Sequence, residues 1–312
     1  MHARPEITGL PEGYTARPLR LDDAAAVTAV MAAQELHDVG EVVIEEADIV
    51  ADWQRPSYEV TQTSVGVLHD DRLVGYAEIT GGDRGDAAVH PDHRGRGIGT
   101  ALARWMQDLA RAQGKPVVGM PVPQGSPADR LLEALGYHVR WTSWVLALPD
   151  GRTVPARPLP DGYALREATE ADHEAVWTVQ EDAFLEWSER EREPFEDWRA
   201  GVPLRPGFEP WNLRVITDPD GDIVAIALIH LTGEGSAREG YVDRLATRRD
   251  QRGRGLAQAL LVDAFAAARE HGAARSTLST DSRTGALGLY EKVGMEVTSV
   301  WVNRAVTLAA AT

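Results

Sequence analysis

Two stretches of this 312-residue chain combine residue types and spacing that could do chemistry. The first reads Arg94-Gly95-Arg96-Gly97-Ile98-Gly99 and the second Arg252-Gly253-Arg254-Gly255-Leu256-Ala257. Each follows an apolar segment that reads as a strand and precedes an amphipathic one that reads as a helix. A glycine turn at a helix start leaves backbone N–H groups without partners inside the helix, and such groups can hold a phosphate. The glycines let the backbone approach a pyrophosphate closely, and the arginines add positive charge. Neither turn is a Walker loop, which needs Gly-Lys-Ser/Thr. Neither is a dinucleotide fingerprint, because Gly99 falls one residue early for the third glycine and the second copy has Ala257 there. The competing reading is a plain glycine turn with surface arginines. The repetition opposes it.

The elements that must position these turns also occur twice. Pro11-Glu-Gly-Tyr14 opens the first half and Pro160-Asp-Gly-Tyr163 the second, 149 residues later. Arg94 and Arg252 are 158 residues apart, as are Gly136 and Gly294. A repeat this long means two whole domains. In the first half, Asp22 and Asp23 cap an Ala-rich helix, and residues 64–69 and 73–80 form a hairpin around Asp70-Asp71. Residues 87–89 lead into the turn and 101–113 form the helix after it. A strand over 115–120, a short helix over 129–135 and a last strand over 137–148 follow. The second half matches, with strands over 212–218, 223–231 and 239–246, a helix over 258–271, a strand over 275–279, a helix over 285–293 and a last strand over 297–308. This order predicts an α/β fold with a mixed sheet flanked by helices in each half. Residues 1–12 read as a loose leader. The division is then a first domain over 1–148, a Pro-rich linker over 149–160 with little to pack, and a second domain over 161–312.

Composition narrows the function. A formal net charge of −16 argues against nucleic acid or an anionic membrane as partner. The chain has no cysteine, which excludes disulfides, thiolate metal sites and a cysteine nucleophile. No signal pattern or membrane-length apolar run is present, so the expected location is cytoplasmic. No metal-ligand spacing appears, and His90 and His93 beside the first turn read as exposed.

The pattern Arg-x-x-Gly-x-Gly/Ala after a strand, with Leu289-Tyr290-Glu-Lys-Val-Gly294 downstream, resembles the GNAT superfamily of acetyl-CoA-dependent N-acetyltransferases. Both halves resemble it over nearly their whole length, so the chain looks like two tandem GNAT domains, each with a mostly antiparallel sheet. The resemblance implies acetyl-CoA as co-substrate. Its pyrophosphate would lie on the amides of Arg252, Gly253, Arg254, Gly255, Leu256 and Ala257, and its pantetheine arm along Leu245, Ala246 and Thr247. An extended amide-bearing arm can add to a sheet edge as a strand does. Ala88, Val89 and Arg94, Gly95, Arg96, Gly97, Ile98 and Gly99 offer the same in the first copy. Where the family often has an asparagine the second copy has none, and Ser282 is the candidate polar contact to CoA.

The resemblance also assigns chemistry. The family uses the tyrosine at Tyr290 as general acid on the leaving thiolate, and Leu132 stands there in the first copy. A carboxylate beside the thioester can take the proton of the acceptor amine. Asp243 stands where family members often place a glutamate, and Gly85 aligns with it in the first copy. Tyr290 also reads as a helix tyrosine packing on the core, and Asp243 as a strand-end carboxylate paired with an arginine. On this reading the second domain is catalytic and the first lacks the acid. The acceptor is a small-molecule amine, with no nucleic acid or membrane partner, and the protein is a monomer or homodimer. Residues 181–198, with Glu181, Phe184, Glu186, Trp187 and Trp198, and then Trp211, offer an acidic aromatic pocket for a cationic acceptor, or else a solvated helix with its aromatics in the core. The alternative functions are a CoA-binding regulatory protein without turnover, or transfer from a different acyl-CoA.

Overall fold

The computed structural model of the protein describes residues 4–233, 235 and 238–308. In the first repeat the elements are β1 (Tyr14–Arg17), α1 (Ala24–Asp38), α2 (Glu46–Trp53), α3 (Val60–Thr63), β2 (Ser64–His69), β3 (Arg72–Thr80), β4 (Arg84–Val89), α4 (Ile98–Ala112), β5 (Val117–Pro123), α5 (Pro127–Ala134) and β6 (His138–Ala147). In the second they are β7 (Ala164–Glu167), α6 (His173–Phe184), α7 (Phe195–Gly201), β8 (Leu213–Thr217), β9 (Ile223–Thr232), β10 (Glu239–Thr247), α8 (Leu256–Glu270), β11 (Arg275–Asp281), α9 (Leu287–Lys292) and β12 (Glu296–Thr307). Asp70 and Asp71 both adopt positive φ, 49° and 60°, the geometry of a two-residue hairpin turn between β2 and β3. None of the described helices is long and apolar enough to cross a membrane.

The chain divides into two compact units, one of Met1–Thr142 with Val300–Thr312 and one of Ser143–Ser299. In the first unit the strand order is β1-β2-β3-β4-β5-β12, antiparallel except for a parallel β4–β5 contact. In the second it is β7-β8-β9-β10-β11-β6, antiparallel except for parallel β10–β11 pairing. Each sheet is therefore mixed and mostly antiparallel.

These units differ from the sequence division at the last strand of each repeat. Trp301 to Thr307 of β12 pair antiparallel with Pro123 to Val117 of β5 in the first unit. Ser143 to Ala147 of β6 pair with Asp281 to Thr277 of β11 in the second. The two closing strands are equivalent in the repeat, so either fits either sheet edge. Alternation of apolar residues specifies a strand and its inward face but not its partner. Gly119 makes room for the partner strand in the first unit, where a Cβ on it would lie 2.6 Å from Cβ of Ala305 and 2.7 Å from the Arg304 carbonyl. Arg304, itself buried, adds an ion pair to Asp129 at 2.7 Å.

Of the two segments expected to be loose, the described part of the leader, residues 4–12, and the segment 149–160 both pack, and residues 1–3 lie outside the described residues. Trp105 Nε1 donates to the Pro5 carbonyl at 3.0 Å, and Ile7 and Leu10 pack on the first unit's core. In the segment 149–160, Val154 is buried in the second unit's core and Gln258 Nε2 donates to the Pro155 carbonyl at 2.7 Å. Prolines prevent these segments from joining a helix or central strand, but not from packing along one.

Each unit buries both faces of its sheet, one against the helix that follows the glycine turn and the other against the helices early in the repeat, α1 and α2 in the first unit and α6 and α7 in the second. In α8, Leu256, Leu260, Leu261, Ala264, Phe265 and Ala268 recur at helical spacing and are buried against the sheet. The first unit carries a buried polar group besides. Glu78 on β3 is 3% exposed and accepts from Trp53 Nε1 at 2.8 Å and Tyr58 Oη at 2.5 Å. Burial pushes its carboxyl up from 4.5 to about 7, against the opposing pull of the Tyr58 and Trp53 donors. Between these two values the native state holds a proton that the unfolded chain has released, so stability falls as pH rises. The shift corresponds to a loss of about 3 kcal/mol across that window. Urea midpoints at pH 5 and pH 8 should therefore fall with pH in the wild type and much less in Glu78→Gln. Equal pH dependence in both would remove Glu78 as the source.

Candidate active site

The second unit contains a cleft of about 730 Å³. It exists because β10 and β11 part company. They pair in parallel only from Glu239–Arg275 to Val242–Leu278. At that point β10 has a β-bulge: Val242 faces Ile229 and Arg244 faces Leu228 on β9, leaving Asp243 as the extra residue. A bulge bends its strand and increases the local twist. Beyond it β10 stays with β9, while Leu245, Ala246 and Thr247 line one wall of the cleft and Ser279, Thr280 and Asp281 the other. Ser143, from the exchanged strand β6, also lines it.

The first unit has no such bulge. Ile79 pairs with Gly85 and Glu78 with Asp86 without a break. Ile79 is the repeat equivalent of Ile229, so Gly85 corresponds to Val242. Asp243 has no counterpart, which corrects the alignment of Asp243 with Gly85. Counting residues back from the turn misplaces every position beyond an inserted one.

At the inner end of the cleft the glycine turn starts α8. Gly255 is the N-cap at φ 84° and Gly253 has φ 76°. Among the described residues, the N–H groups of Gly253, Arg254, Gly255, Leu256 and Ala257 make no hydrogen bond. The same holds for Gly95 to Gly99 before α4, where Gly97 is the N-cap at φ 89°. Five amides converging at the positive end of a helix form an anion site.

The first arginine of each motif has a different task from the one its charge suggests. Arg252 forms a two-pronged ion pair with Glu186 at 2.6 and 2.9 Å, and its Nε donates to the Thr247 carbonyl. Arg94 does the same with Asp38 at 2.6 and 2.9 Å and with the Val89 carbonyl. Both guanidiniums tie the end of the turn's strand to the end of the first long helix. Arg96 is held by the Tyr14 hydroxyl and the Asp92 carbonyl, outside the cleft. Arg254 is exposed and also outside it. An anion placed at either turn would therefore meet the amides more than these side chains.

The strand edge is where the two copies separate. Arg248 N–H bonds back to Val224 on β9, so by alternation the N–H groups of Thr247 and Leu245 point to the open side of β10. In the first unit the matching N–H, that of Val89, is covered by Gln34 Oε1 at 3.3 Å. Gln34 is the eleventh residue of α1, and the eleventh residue of α6 is Ala183, which lines the second cleft without reaching an amide.

Tyr290 projects from α9 into the second cleft. It is 7% exposed, and burial pushes its phenol up to about 12. Its hydroxyl has no hydrogen-bond partner among the described residues. Asp243 lines the same cleft and touches Arg244 Nε at 3.2 Å, while Arg244 is braced by Gln180 of α6 at 3.1 Å. Ser282 lies outside the lining, where Thr280 and Thr284 are found instead. Ser282 is exposed on the turn after β11, between Asp281 and Thr284, which do line the cleft.

The acidic aromatic segment is mostly structural. Trp198 is fully buried, Trp211 stacks on His271 with ring centroids 4.1 Å apart, and Glu181 is held by Arg190 at 2.6 Å. Only Phe184 and Trp187 of that set reach the cleft, with Arg283 over the Trp187 ring at 4.8 Å.

The first unit's cleft, about 420 Å³, is lined chiefly by Ile98, Leu102, Met106, Met120, Leu131 and Leu132 beyond its turn, which contributes Ala88, Val89, Arg94, Gly95, Gly97 and Gly99. Leu132 stands where Tyr290 stands, and Tyr137 turns inward to bond Gln107 and the Ala103 carbonyl. It keeps the turn with unpaired amides and has no hydroxyl at the position of Tyr290.

The anion turn is built twice into mixed sheets and the open strand edge once, in the second unit, and the chain belongs to the acetyltransferase (GNAT) family, whose pattern matches residues 32–137 and 172–295. It is 32% identical over 241 residues to a mycothiol acetyltransferase of Salinispora tropica, covering 74% of this chain and 77% of that protein. It is 28% identical over 271 residues to that of Thermobispora bispora, covering 81% and 90%. Among solved structures it is similar to a GCN5-related N-acetyltransferase from Sphaerobacter thermophilus, with a TM-score of 0.70 at 27% identity, covering 97% of this chain and all of that one. A tandem GNAT protein from the clavulanic acid biosynthesis pathway shares the fold at 17% identity, with a TM-score of 0.71 over 96% of this chain and 100% of that one.

Proposed function

We propose that the second unit transfers an acetyl group from acetyl-CoA to the primary amine of a small molecule, by direct attack with both substrates bound. The observation that carries this reading is one cleft holding the uncommitted amides of the turn, an open strand edge and a buried phenol. The amides of Gly253 to Ala257 would hold the pyrophosphate, and the edge at Leu245 and Thr247 the pantetheine amides. The amine nitrogen attacks the thioester carbonyl carbon; the C–N bond forms and the C–S bond breaks. Asp243, directly or through a water, takes the ammonium proton. Tyr290 Oη donates its proton to the departing thiolate. Edge N–H groups stabilise the negative charge that builds on the carbonyl oxygen. The mycothiol acetyltransferases about 30% identical to this chain make the acceptor of mycothiol acetylation the first to test. The first unit, with Leu132 for the acid and Gln34 over the Val89 amide, fits binding without turnover.

A thiol-release assay over a panel of amines tests this when run on Gly255→Glu and Gly97→Glu beside the wild type. Gly255→Glu sets a carboxylate against the phosphate, puts its Cβ in the space Arg157 occupies and strains a left-handed N-cap, so it should lose at least about a hundredfold in kcat/KM for acetyl-CoA. Gly97→Glu should keep its turnover. Loss in Gly97→Glu alone would move the chemistry to the first unit, and no thiol release with any amine would remove the transferase reading.

A further inference from the structure

Arg157 lies in the segment between the repeats, eight residues past Pro149, and belongs to no motif. In the structure its side chain rests on the N-cap of α8. A Cβ built on Gly255 would fall 2.1 Å from Arg157 Nε, 2.6 Å from its Cδ and 3.0 Å from its Cγ. The segment is pinned on either side of this contact: Val154 is buried in the core, Gln258 Nε2 holds the Pro155 carbonyl at 2.7 Å, and Leu159 packs on the same core. Arg157 is exposed, lines the cleft and has no carboxylate partner among the described residues. Nothing lies within 4 Å of a Cβ on Gly97, the same position in the first unit.

A cation parked at the positive end of a helix is electrostatically unfavourable by itself. The arrangement becomes favourable when an anion sits between the guanidinium and the helix amides, because both then donate to it. We propose that Arg157 is a co-substrate-binding residue of the second unit, closing over the pyrophosphate of acetyl-CoA from the side opposite the amides of the glycine turn. This rests on the second unit being the acetyl-CoA site. It makes the segment between the repeats part of that site, and it gives the second unit a phosphate contact the first does not have. It also explains why the charge at this turn is supplied from outside the motif: Arg252 is committed to Glu186.

The test is titration calorimetry with CoA and with 3′-dephospho-CoA, on the full chain carrying Gly97→Glu so that the first unit's turn is blocked. Arg157→Ala should weaken CoA by about 10- to 100-fold, the range for a charge-assisted contact to a phosphate. Arg157→Lys should recover part of this, and Arg152→Ala, the same charge change elsewhere in the exposed segment, should have no such effect. The Arg157→Ala loss should be as large with 3′-dephospho-CoA. Unchanged affinity in Arg157→Ala would overturn the proposal while leaving the second unit as the CoA site. So would tighter binding, which would make Arg157 a plug, or a loss confined to CoA, which would place it on the 3′-phosphate. If the Gly97→Glu chain binds no CoA at all, the second unit is not the site and both readings fall.

Discussion

Tyr290→Phe is expected to lower turnover by about two to four orders of magnitude, the usual contribution of a positioned general acid, with little change in CoA affinity. The expectation comes from what surrounds the hydroxyl. Burial pushes the phenol up to about 12, so it carries its proton throughout the neutral range. No described residue accepts that proton, so it is free for a group that arrives with the substrate. The ring itself packs in the core beside Val293 and Met295, and phenylalanine keeps that packing. The variant therefore separates the proton from the fold. Thiol release under saturating substrates measures the first, and CoA titration with thermal unfolding measures the second. If Tyr290 were only a core residue with its hydroxyl at the cleft wall, turnover would be unchanged. If the loss appeared in CoA affinity instead, the hydroxyl would be a binding contact rather than an acid.

Much of this site is legible in the amino-acid sequence, for identifiable physical reasons. Repeats, glycine turns and amphipathic helices are written locally, so spacing alone places the turns at Arg94 and Arg252 and nearly every element around them. What is not legible depends on partners far along the chain. The bulge at Asp243 is defined by its register against Ile229 and Leu228, and no local pattern announces an extra residue in a strand. Gln34 covers an amide 55 residues away, and Ala183 leaves the matching one open. The arginines look like phosphate ligands because their carboxylate partners, Asp38 and Glu186, lie 56 and 66 residues away. Arg157 is hidden for the opposite reason: a proline-rich stretch reads as linker, and proline limits hydrogen bonding without limiting packing. The two copies differ at four places around the cleft: Tyr290 against Leu132, the inserted Asp243, Ala183 against Gln34, and Arg157 over Gly255.

The exchange of closing strands carries the other large expectation. Residues 149–312 expressed alone should not give a stable active domain, although they contain Asp243, Tyr290 and the whole glycine turn. That piece lacks Ser143 to Ala147, which occupy the edge of β11 through five paired positions. It also lacks Leu146, completely buried in the second unit's core. Removing one buried leucine side chain costs about 2–5 kcal/mol, a large share of a domain's net stability of about 5–15 kcal/mol. The bare edge of β11 would in addition expose a ladder of unpaired groups, a surface prone to aggregation. Leu146→Ala in the full chain is the graded form of the same experiment. It should lower the unfolding midpoint and weaken CoA binding in the second unit, because Ser143 on the same strand lines the cleft. The informative rival is a piece whose own β12 folds back onto β11 and takes the place of β6, as repeat equivalence permits. Circular dichroism, thermal unfolding and thiol release on residues 149–312 decide between them. A cooperative, active monomer would show that the exchange is dispensable. Loss of both, restored when residues 1–148 are co-expressed, would show that the first repeat supplies the second unit's missing strand.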